Sequence, residues 1–199
     1  MYTTYSLKPG FQNLLRPCVR LLASAFVKPN QITIAALGVS CVSGMLLLLY
    51  GQPMLFILAP ALLLRMALNA IDGMLAREHG MATRSGMVLN ELGDIASDAA
   101  LYLPLAMLPH MPAQAAVFAF VLLATWVEMA GVVAALATGR RSCAGPMGKS
   151  DRALAVGVLA VALGSGVVPS LWGAPCFWLF NVLMMITFGK RVHDALRTH

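Results

Sequence analysis

The sequence predicts an all-α polytopic membrane protein with six transmembrane helices, preceded by an amphipathic helix at the membrane interface. Of its 199 residues, 59% are hydrophobic and only 11% are charged, whereas roughly a quarter of the residues in soluble domains are charged. The mean hydropathy is +0.78. Six apolar runs approach the ~20 helical residues that cross a bilayer core. A soluble fold would have to bury all six runs, so we expect a membrane protein.

The expected interfacial helix lies in residues 1–30, which we treat as a separate N-terminal segment. Apolar Leu14, Val19 and Leu22 are interleaved with Arg16 and Arg20, as in helices that lie in the lipid headgroup layer. Because the segment has no compact apolar core followed by a small-residue cleavage site, we predict no cleavable signal peptide. A poorly ordered basic tail is the alternative interpretation.

Residues 31–199 make up the predicted transmembrane domain. Turn and helix-breaking residues divide this domain into six apolar segments. The small residues of GVSCVSG, residues 38–44, could let two of the helices approach closely. The predicted spans are 31–51, 53–77, 85–108, 112–138, 150–169 and 173–192.

The basic residues are distributed unevenly between the two sides of this six-span arrangement. The connections YGQP, LPHMP and GSGVVPSLWGAP contain no Lys or Arg, whereas the other connections and the termini hold all but one of the 14 basic residues. The positive-inside rule therefore predicts cytoplasmic termini, and we expect an integral protein of the bacterial inner membrane. Anionic lipid headgroups account for the net charge of +6 without nucleic acid as a partner.

Residues 69–98 form an acidic stretch with apolar sequence on both sides. Residues three or four apart share one face of a helix, so two antiparallel helices would direct two polar faces at one point near the cytoplasmic surface. Carboxylate and amide oxygens suit Mg²⁺, Mn²⁺ or Ca²⁺, and the lack of His and Cys argues against zinc. Simple hydration of helix ends is the alternative, which we favour for Glu78. The two faces hold Asn69, Asp72, Gly73 and Ala76, and Asn90, Asp94 and Asp98.

This stretch resembles the signature of the CDP-alcohol phosphatidyltransferase family, D-x-x-D-G-x-x-A-R followed, after a spacer, by G-x-x-x-D-x-x-x-D. NAIDGMLAR and GMVLNELGD match it at the expected spacing. KPNQITI resembles the T-P-N-x-L-T entry to the family's first span, and GPMGKSDRA resembles a G-K-x-K-T stretch at its fifth. The resemblance covers nearly the whole chain. The matching signature positions are Asp72, Gly73, Ala76, Arg77, Gly86 and Asp94.

The resemblance implies an enzyme that displaces CMP from a CDP-alcohol, usually CDP-diacylglycerol, by the hydroxyl of an acceptor alcohol. It also implies Mg²⁺ or Mn²⁺, one or two ions, and a homodimer. The cation would neutralise the diphosphate and the acidic site, while a carboxylate accepts the hydroxyl proton. The metal ligands implied are Asn69, Asp72, Asn90, Asp94 and Asp98, and the nucleotide ligands implied are Asp72, Gly73, Arg77 and Gly86, with the segment 28–30 nearby.

Basic residues at the predicted start of the fifth span favour a phosphorylated acceptor. Lys149 and Arg152, beside Arg140, could bind phosphate of the lipid or of the acceptor alcohol. Positive-inside anchoring explains Arg140 equally well.

The sequence departs from the family pattern at two signature aspartates, which are Asn69 and Asn90 here. An amide oxygen can still bind a hard cation, but it carries no charge and cannot act as a base. Three outcomes follow: a single-metal site, a two-metal site completed by Glu91 or Asp98, or an inactive relative. We favour retained activity with Asp94 as the base. Sliding the motif so that Asp94 and Asp98 are its last aspartates would break the match of Gly86.

Arg65 is the one basic residue deep within a predicted span. A charge at that depth needs a partner, and Glu128 is the only acid in the fourth span. We therefore predict a structural ion pair between Arg65 and Glu128.

Two other functions remain alternatives. A small proton-coupled transporter could use Arg65, Glu128 and the cytoplasmic acids as a relay, although we find no internal repeat of the kind that transporters often show. The second alternative is a non-catalytic relative that binds a CDP-lipid.

Overall fold

A computed structural model of the chain describes residues 8–108 and 114–197, and these residues form seven α-helices. Short 3₁₀ turns at Gln52–Met54, Leu103–Met107 and Ser170–Trp172 adjoin three of them. The all-α prediction is confirmed for this part of the chain. The helices are α1 (Lys8–Ser24), α2 (Pro29–Tyr50), α3 (Leu55–Glu78), α4 (Arg84–Tyr102), α5 (Gln114–Thr138), α6 (Lys149–Gly164) and α7 (Gly173–Leu196).

Helices α2 to α7 follow the predicted spans, with differences in the third and the fifth. The third predicted span, 85–108, extends beyond α4, which ends at Tyr102 and is followed by the 3₁₀ turn Leu103–Met107. The span predicted at 150–169 is too long, because α6 ends at Gly164. Gly166 then has a φ of +71°, a left-handed conformation that glycine adopts without strain. Residues 112 and 113, at the start of the predicted fourth span, lie outside the described residues.

Four helical segments among the described residues are long and apolar enough to cross a membrane. Helix α4 differs because it carries four charged residues, and α6 differs because it has only 16 residues. Length and composition therefore support four spans where the sequence analysis predicted six. Large side chains such as Leu49, Leu122 and Leu179 remain exposed, as expected on a lipid-facing surface. The four segments are Pro29–Tyr50, Gln52–Glu78, Gln114–Thr138 and Ser170–Leu196.

The helices near the acidic stretch begin at clear local signals. Pro29 occupies the first turn of α2, where a missing N–H is not needed. The Thr83 hydroxyl accepts the Gly86 N–H at 3.0 Å and caps α4. Asp151 accepts the Gly148 N–H at 3.0 Å at the start of α6. Side-chain caps of this kind fix where a helix begins. Here they mark the first turns of α4 and α6.

Packing brings α2, α3, α4 and α6 together around the acidic stretch. Helix α2 contacts both α3 and α4, α3 contacts α6, and α5 packs along α7. Close approach of α2 to α4 depends on Gly44, because a Cβ there would lie 2.0 Å from the carbonyl oxygen of Ala100. The small-residue segment 38–44 therefore does bring two helices together, as predicted. Tyr102, Phe120 and Phe177 form edge-to-face contacts at 5.2 Å within the apolar core.

Candidate active site

Helices α3 and α4 bring two of the predicted site residues into direct contact. Asn69 on α3 donates its Nδ2 hydrogen to Asp94 Oδ1 on α4 at 2.9 Å. The side chain of Asp94 is 13% exposed, so it is mostly enclosed but still reachable. Asn90 lies one helical turn before Asp94 and is half-buried. The prediction that the two helices direct polar groups at one place is confirmed for Asn69 and Asp94.

Asp72 lies on α3 and is held by α2. The hydroxyl of Thr33 lies 2.9 Å from Asp72 Oδ2 and donates to it; the same hydroxyl lies 3.2 Å from the carbonyl oxygen of Pro29. Asp72 is buried, and its charge interacts with those of Asp94 and Lys149. Thr33 was not predicted as a site residue, although its hydroxyl one turn into α2 is visible in KPNQITI.

Lys149 is the first residue of α6 and forms an ion pair with Asp94 Oδ1. Asp151 caps the Gly148 N–H immediately before Lys149, at the start of this helix. From the sequence we expected Lys149 to bind phosphate, and its contact with the candidate base was not predicted. The N-terminus of α6 adds its own partial positive charge beside Asp94.

Two glycines of the motif make room for polar side chains. A Cβ at Gly73 would lie 3.0 Å from a guanidinium nitrogen of Arg77, which folds back over that position. A Cβ at Gly86 would lie 2.6 Å from Asn30 Oδ1 and 2.9 Å from Thr83 Oγ1. The structure thus brings Gly86 against the start of α2, in agreement with the expectation that segment 28–30 lies near the motif.

A buried ionic network lies deeper between the helices. Arg65 Nη1 donates to Asp98 Oδ1 at 2.5 Å, and Arg152 Nη2 donates to Asp98 Oδ2 at 2.8 Å. Arg152 Nη2 also donates to Glu128 Oε1 at 2.9 Å. The predicted Arg65–Glu128 pair is therefore wrong. The orientation of α4 turns Asp98 toward Arg65, while α6 inserts Arg152 between Asp98 and Glu128.

This network changes what is available at the site. Both carboxylate oxygens of Asp98 already accept hydrogen bonds from guanidinium groups, so Asp98 would have to release them to bind a metal. Arg152 is completely buried and engaged, which removes it from the surface where an acceptor phosphate would arrive. Arg140, by contrast, is exposed. Of the three predicted phosphate ligands, only Lys149 lies against the Asn69–Asp94 pair.

Arg141 connects the network to the surface between α5 and α6. It forms an ion pair with Glu91 and donates from Nη2 to Glu128 Oε2 at 2.9 Å. Burial lowers the pKa of Arg141, but the hydrogen bond and charge of Glu91, together with Glu128, raise it further and leave the pKa above its usual value. Glu91, considered above as a possible completing metal ligand, is therefore already paired with a cation.

The donor set fits one hard cation better than two. Among the described residues, no group of three or more His, Cys, Asp and Glu side chains is arranged to hold a metal ion. Asp72 supplies a carboxylate, and Asn69 and Asn90 supply neutral amide oxygens, a set suited to Mg²⁺ or Mn²⁺. Any ion at Asp94 would have to compete with Lys149, which already pairs with that carboxylate.

Comparison with known sequences places this site in a family. Residues 26–189 match the profile described as CDP-alcohol phosphatidyltransferase. The chain is 44% identical over 195 residues to the inner membrane protein YnbA of Escherichia coli K12, covering 98% of this chain and 96% of YnbA. It is also 35% identical over 96 residues to an uncharacterized protein of Aquifex aeolicus VF5, covering 48% and 47% of the two chains.

Solved structures show the same fold. The phosphatidylinositol phosphate synthase PgsA1 of Mycobacterium tuberculosis with CDP-DAG bound superposes with a TM-score of 0.71 at 24% identity, covering 92% of this chain and 96% of that one. The same enzyme in complex with manganese and citrate gives a TM-score of 0.70 at 23% identity, with 92% of each chain covered. The sequence match spans α2 to α6 and most of α7, which include every residue of the site described above, and so the chain belongs to the CDP-alcohol phosphatidyltransferase family.

Proposed function

We propose that this chain is an integral-membrane enzyme of phospholipid synthesis that transfers a phosphatidyl-type group from a CDP-alcohol to an alcohol and releases CMP. CDP-diacylglycerol is the donor we propose, because PgsA1, which shares the fold, has been solved with CDP-DAG bound. In this proposal α4 and α6 complete a six-helix transmembrane bundle behind the interfacial helix α1. The termini and the site face the cytoplasm, and two copies form a homodimer.

The observation that carries the proposal is the position of Asp94. Asn69 and Lys149 both contact its Oδ1 atom, and Arg65 Nη2 donates to its backbone carbonyl at 3.1 Å. These contacts orient the carboxylate while leaving Oδ2 without a hydrogen bond from the described residues. A fixed carboxylate whose second oxygen has no donor among the described residues suits a general base.

The residues around Asp94 suggest how the transfer proceeds. The acceptor hydroxyl gives its proton to Asp94 as its oxygen forms a bond to the phosphorus that carries the alcohol of the donor. The anhydride P–O bond to CMP breaks, and CMP leaves with that electron pair. A divalent cation, Mg²⁺ or Mn²⁺, would supply electrostatic stabilisation of the diphosphate when bound. Asp72, with Asn69 and Asn90, would hold it.

The nucleotide is assigned to the surface formed by the start of α2 and the end of α3. Gly73 lets Arg77 fold over the helix, and Gly86 lets Asn30 approach α4. Arg77 is exposed and can donate to phosphate oxygens in a bidentate manner. A side chain in place of either glycine would push Arg77 or Asn30 toward the space that the cytidine diphosphate is expected to occupy.

The acceptor is assigned to the opposite side of Asp94, toward α6. Lys149 supplies the nearest positive charge, and Arg140 is an exposed charge further along the connection from α5. We therefore propose a phosphorylated alcohol as the acceptor. Arg152 is left out of this pocket because Asp98 and Glu128 already engage it.

The transporter alternative loses its main support in the structure. Arg65 and Glu128, which that alternative needs as a relay, are each paired with other residues. The remaining alternative hypothesis is a non-catalytic relative that binds the CDP-lipid, and a measurement of catalysis distinguishes it from an enzyme.

The test is CMP release by the purified protein in lipid nanodiscs. The protein is incubated with CDP-diacylglycerol labelled in the cytidine, Mg²⁺ or Mn²⁺, and a panel of free and phosphorylated alcohols. We expect acceptor-dependent CMP release, which Asp94→Asn lowers by at least about 100-fold. Glu78→Gln is the matched control, because it removes a carboxylate of the same stretch from the surface and should leave the rate unchanged. Binding of CDP-diacylglycerol without CMP release under any acceptor would identify a non-catalytic relative.

A further inference from the structure

Four of the five carboxylates between residues 69 and 98 already have a cationic partner. Glu78 pairs with Arg16 at 3.1 Å, and Glu91 pairs with Arg141. Asp94 pairs with Lys149, and Asp98 pairs with Arg65 and Arg152. Asp72 is the exception: among the described residues its side chain receives a hydrogen bond from the Thr33 hydroxyl and no ion pair.

We propose that the Lys149 ammonium acts as a resident cation on Asp94, so that the site binds one divalent cation per chain, on Asp72, instead of two. This inference rests on the proposed function, since it concerns the cation of the same site. Lys149 supplies there, from within the protein, a positive charge that a second metal ion would otherwise bring.

The amides of the motif support a single ion. Asn69 directs its Nδ2 donor at Asp94 Oδ1, so the edge of Asn69 that meets Asp94 repels a cation. Its carbonyl oxygen remains available as a neutral ligand, and Asn90 can offer another. Neutral ligands of this kind complete the shell of one hard cation without adding the negative charge that would hold a second.

The charge balance points the same way. Asp72, Asp94 and a bound diphosphate bring about four negative charges, and Lys149, one divalent cation and Arg77, the proposed phosphate ligand, bring about four positive ones. A second divalent cation would leave about two surplus positive charges in a half-buried site, where unbalanced charge is costly. The side chain of Lys149 is 24% exposed, so the ion pair is shielded from bulk water on most sides.

The test counts bound Mn²⁺ by electron paramagnetic resonance, with the full chain in lipid nanodiscs containing CDP-diacylglycerol. We expect one Mn²⁺ per wild-type chain at saturation. Lys149→Met frees Asp94 and should raise the count to two, whereas Lys149→Arg keeps the charge and should leave it at one. Lys190→Met, which removes an exposed lysine charge on α7, is the matched control and should also bind one ion.

Several outcomes would overturn the inference. Two ions, or none, on the wild-type chain would do so, as would a folded Lys149→Met protein that still binds one. If Lys149→Met does not fold, the wild-type count decides alone. CMP release is measured in the same preparation. One bound ion without CMP release would contradict the proposed function and leave this inference standing. Two bound ions with CMP release would support the proposed function and overturn this inference.

Discussion

Arg65 on α3 and Asp98 on α4 form the closest ion pair of the buried ionic network, with Arg65 Nη1 2.5 Å from Asp98 Oδ1. Arg65 also donates from Nη2 to the backbone carbonyl of Asp94 at 3.1 Å. One guanidinium therefore binds the α4 backbone at the candidate base and the carboxylate one turn further on. Through Asp98 the same network reaches Arg152 on α6, so three helices are joined directly behind the site.

Asp98→Asn should destabilise the protein strongly. The substitution leaves Arg65 and Arg152 buried with their shared negative charge removed, and breaking one partner of a buried pair costs about 3–5 kcal/mol. Thermal unfolding in detergent should show a clearly lower midpoint. Glu78→Gln breaks an exposed pair with Arg16 and should cost less than about 1 kcal/mol. Equal midpoints for the two variants would contradict the buried network as the stabilising element.

Thr33→Val should weaken the site with little effect on the fold. The hydroxyl that orients Asp72 is lost, while the volume of the side chain is kept; a single hydrogen bond is worth about 1 kcal/mol. We expect a higher concentration of Mn²⁺ for half-maximal CMP release and a nearly unchanged unfolding midpoint. Thr33→Ser, which retains the hydroxyl, should restore the metal dependence. If Thr33→Ser behaves like Thr33→Val, the hydrogen bond to Asp72 is not what matters.

The acidic stretch could be located from sequence because helical periodicity puts its polar residues on one face of each of two consecutive helices, and the structure brings these faces together at Asn69 and Asp94. The partner of Arg65 could not, since the choice between Asp98 and Glu128 depends on how α4 and α5 are rotated. Arg152 illustrates the same limit. The sequence pattern of a basic residue at the start of a span is the same whether that residue faces lipid headgroups or, as here, the protein interior. Lys149 and Arg152 are three residues apart, yet one contacts the candidate base and the other the buried network.

Gly44→Ala should disrupt the contact between α2 and α4. A Cβ at this position would lie 2.0 Å from the carbonyl oxygen of Ala100, and backbone on both sides cannot move aside as a flexible side chain would. Overpacking of this kind costs about 1–3 kcal/mol. The control is Gly38→Ala on the same helix, where an added Cβ meets nothing within 4 Å. Unfolding midpoints in detergent should fall for Gly44→Ala and stay level or rise for Gly38→Ala.

Gly86→Ala should lower activity by a different route, through the start of α2. The added Cβ would lie 2.6 Å from Asn30 Oδ1 and 2.9 Å from Thr83 Oγ1. Asn30 can rotate away, because the contacting atom lies at the end of its side chain. The fold should therefore survive, although the strained Thr83 cap should lower the free energy of unfolding by about 1 kcal/mol. Displacement of Asn30 into the surface assigned to the nucleotide should raise the KM for CDP-diacylglycerol more than it lowers kcat.

The double variant Gly86→Ala, Asn30→Ala separates the two effects. Shortening Asn30 removes the clash while the Thr83 contact persists. If the displaced amide is what obstructs the nucleotide, the double variant should have a lower KM than Gly86→Ala alone. Its unfolding midpoint should stay close to that of Gly86→Ala, because the strained Thr83 contact remains. A KM that stays as high in the double variant would show that Asn30 does not border the nucleotide. The loss in Gly86→Ala would then have to come from the capping turn of α4, which positions Asp94 two turns later.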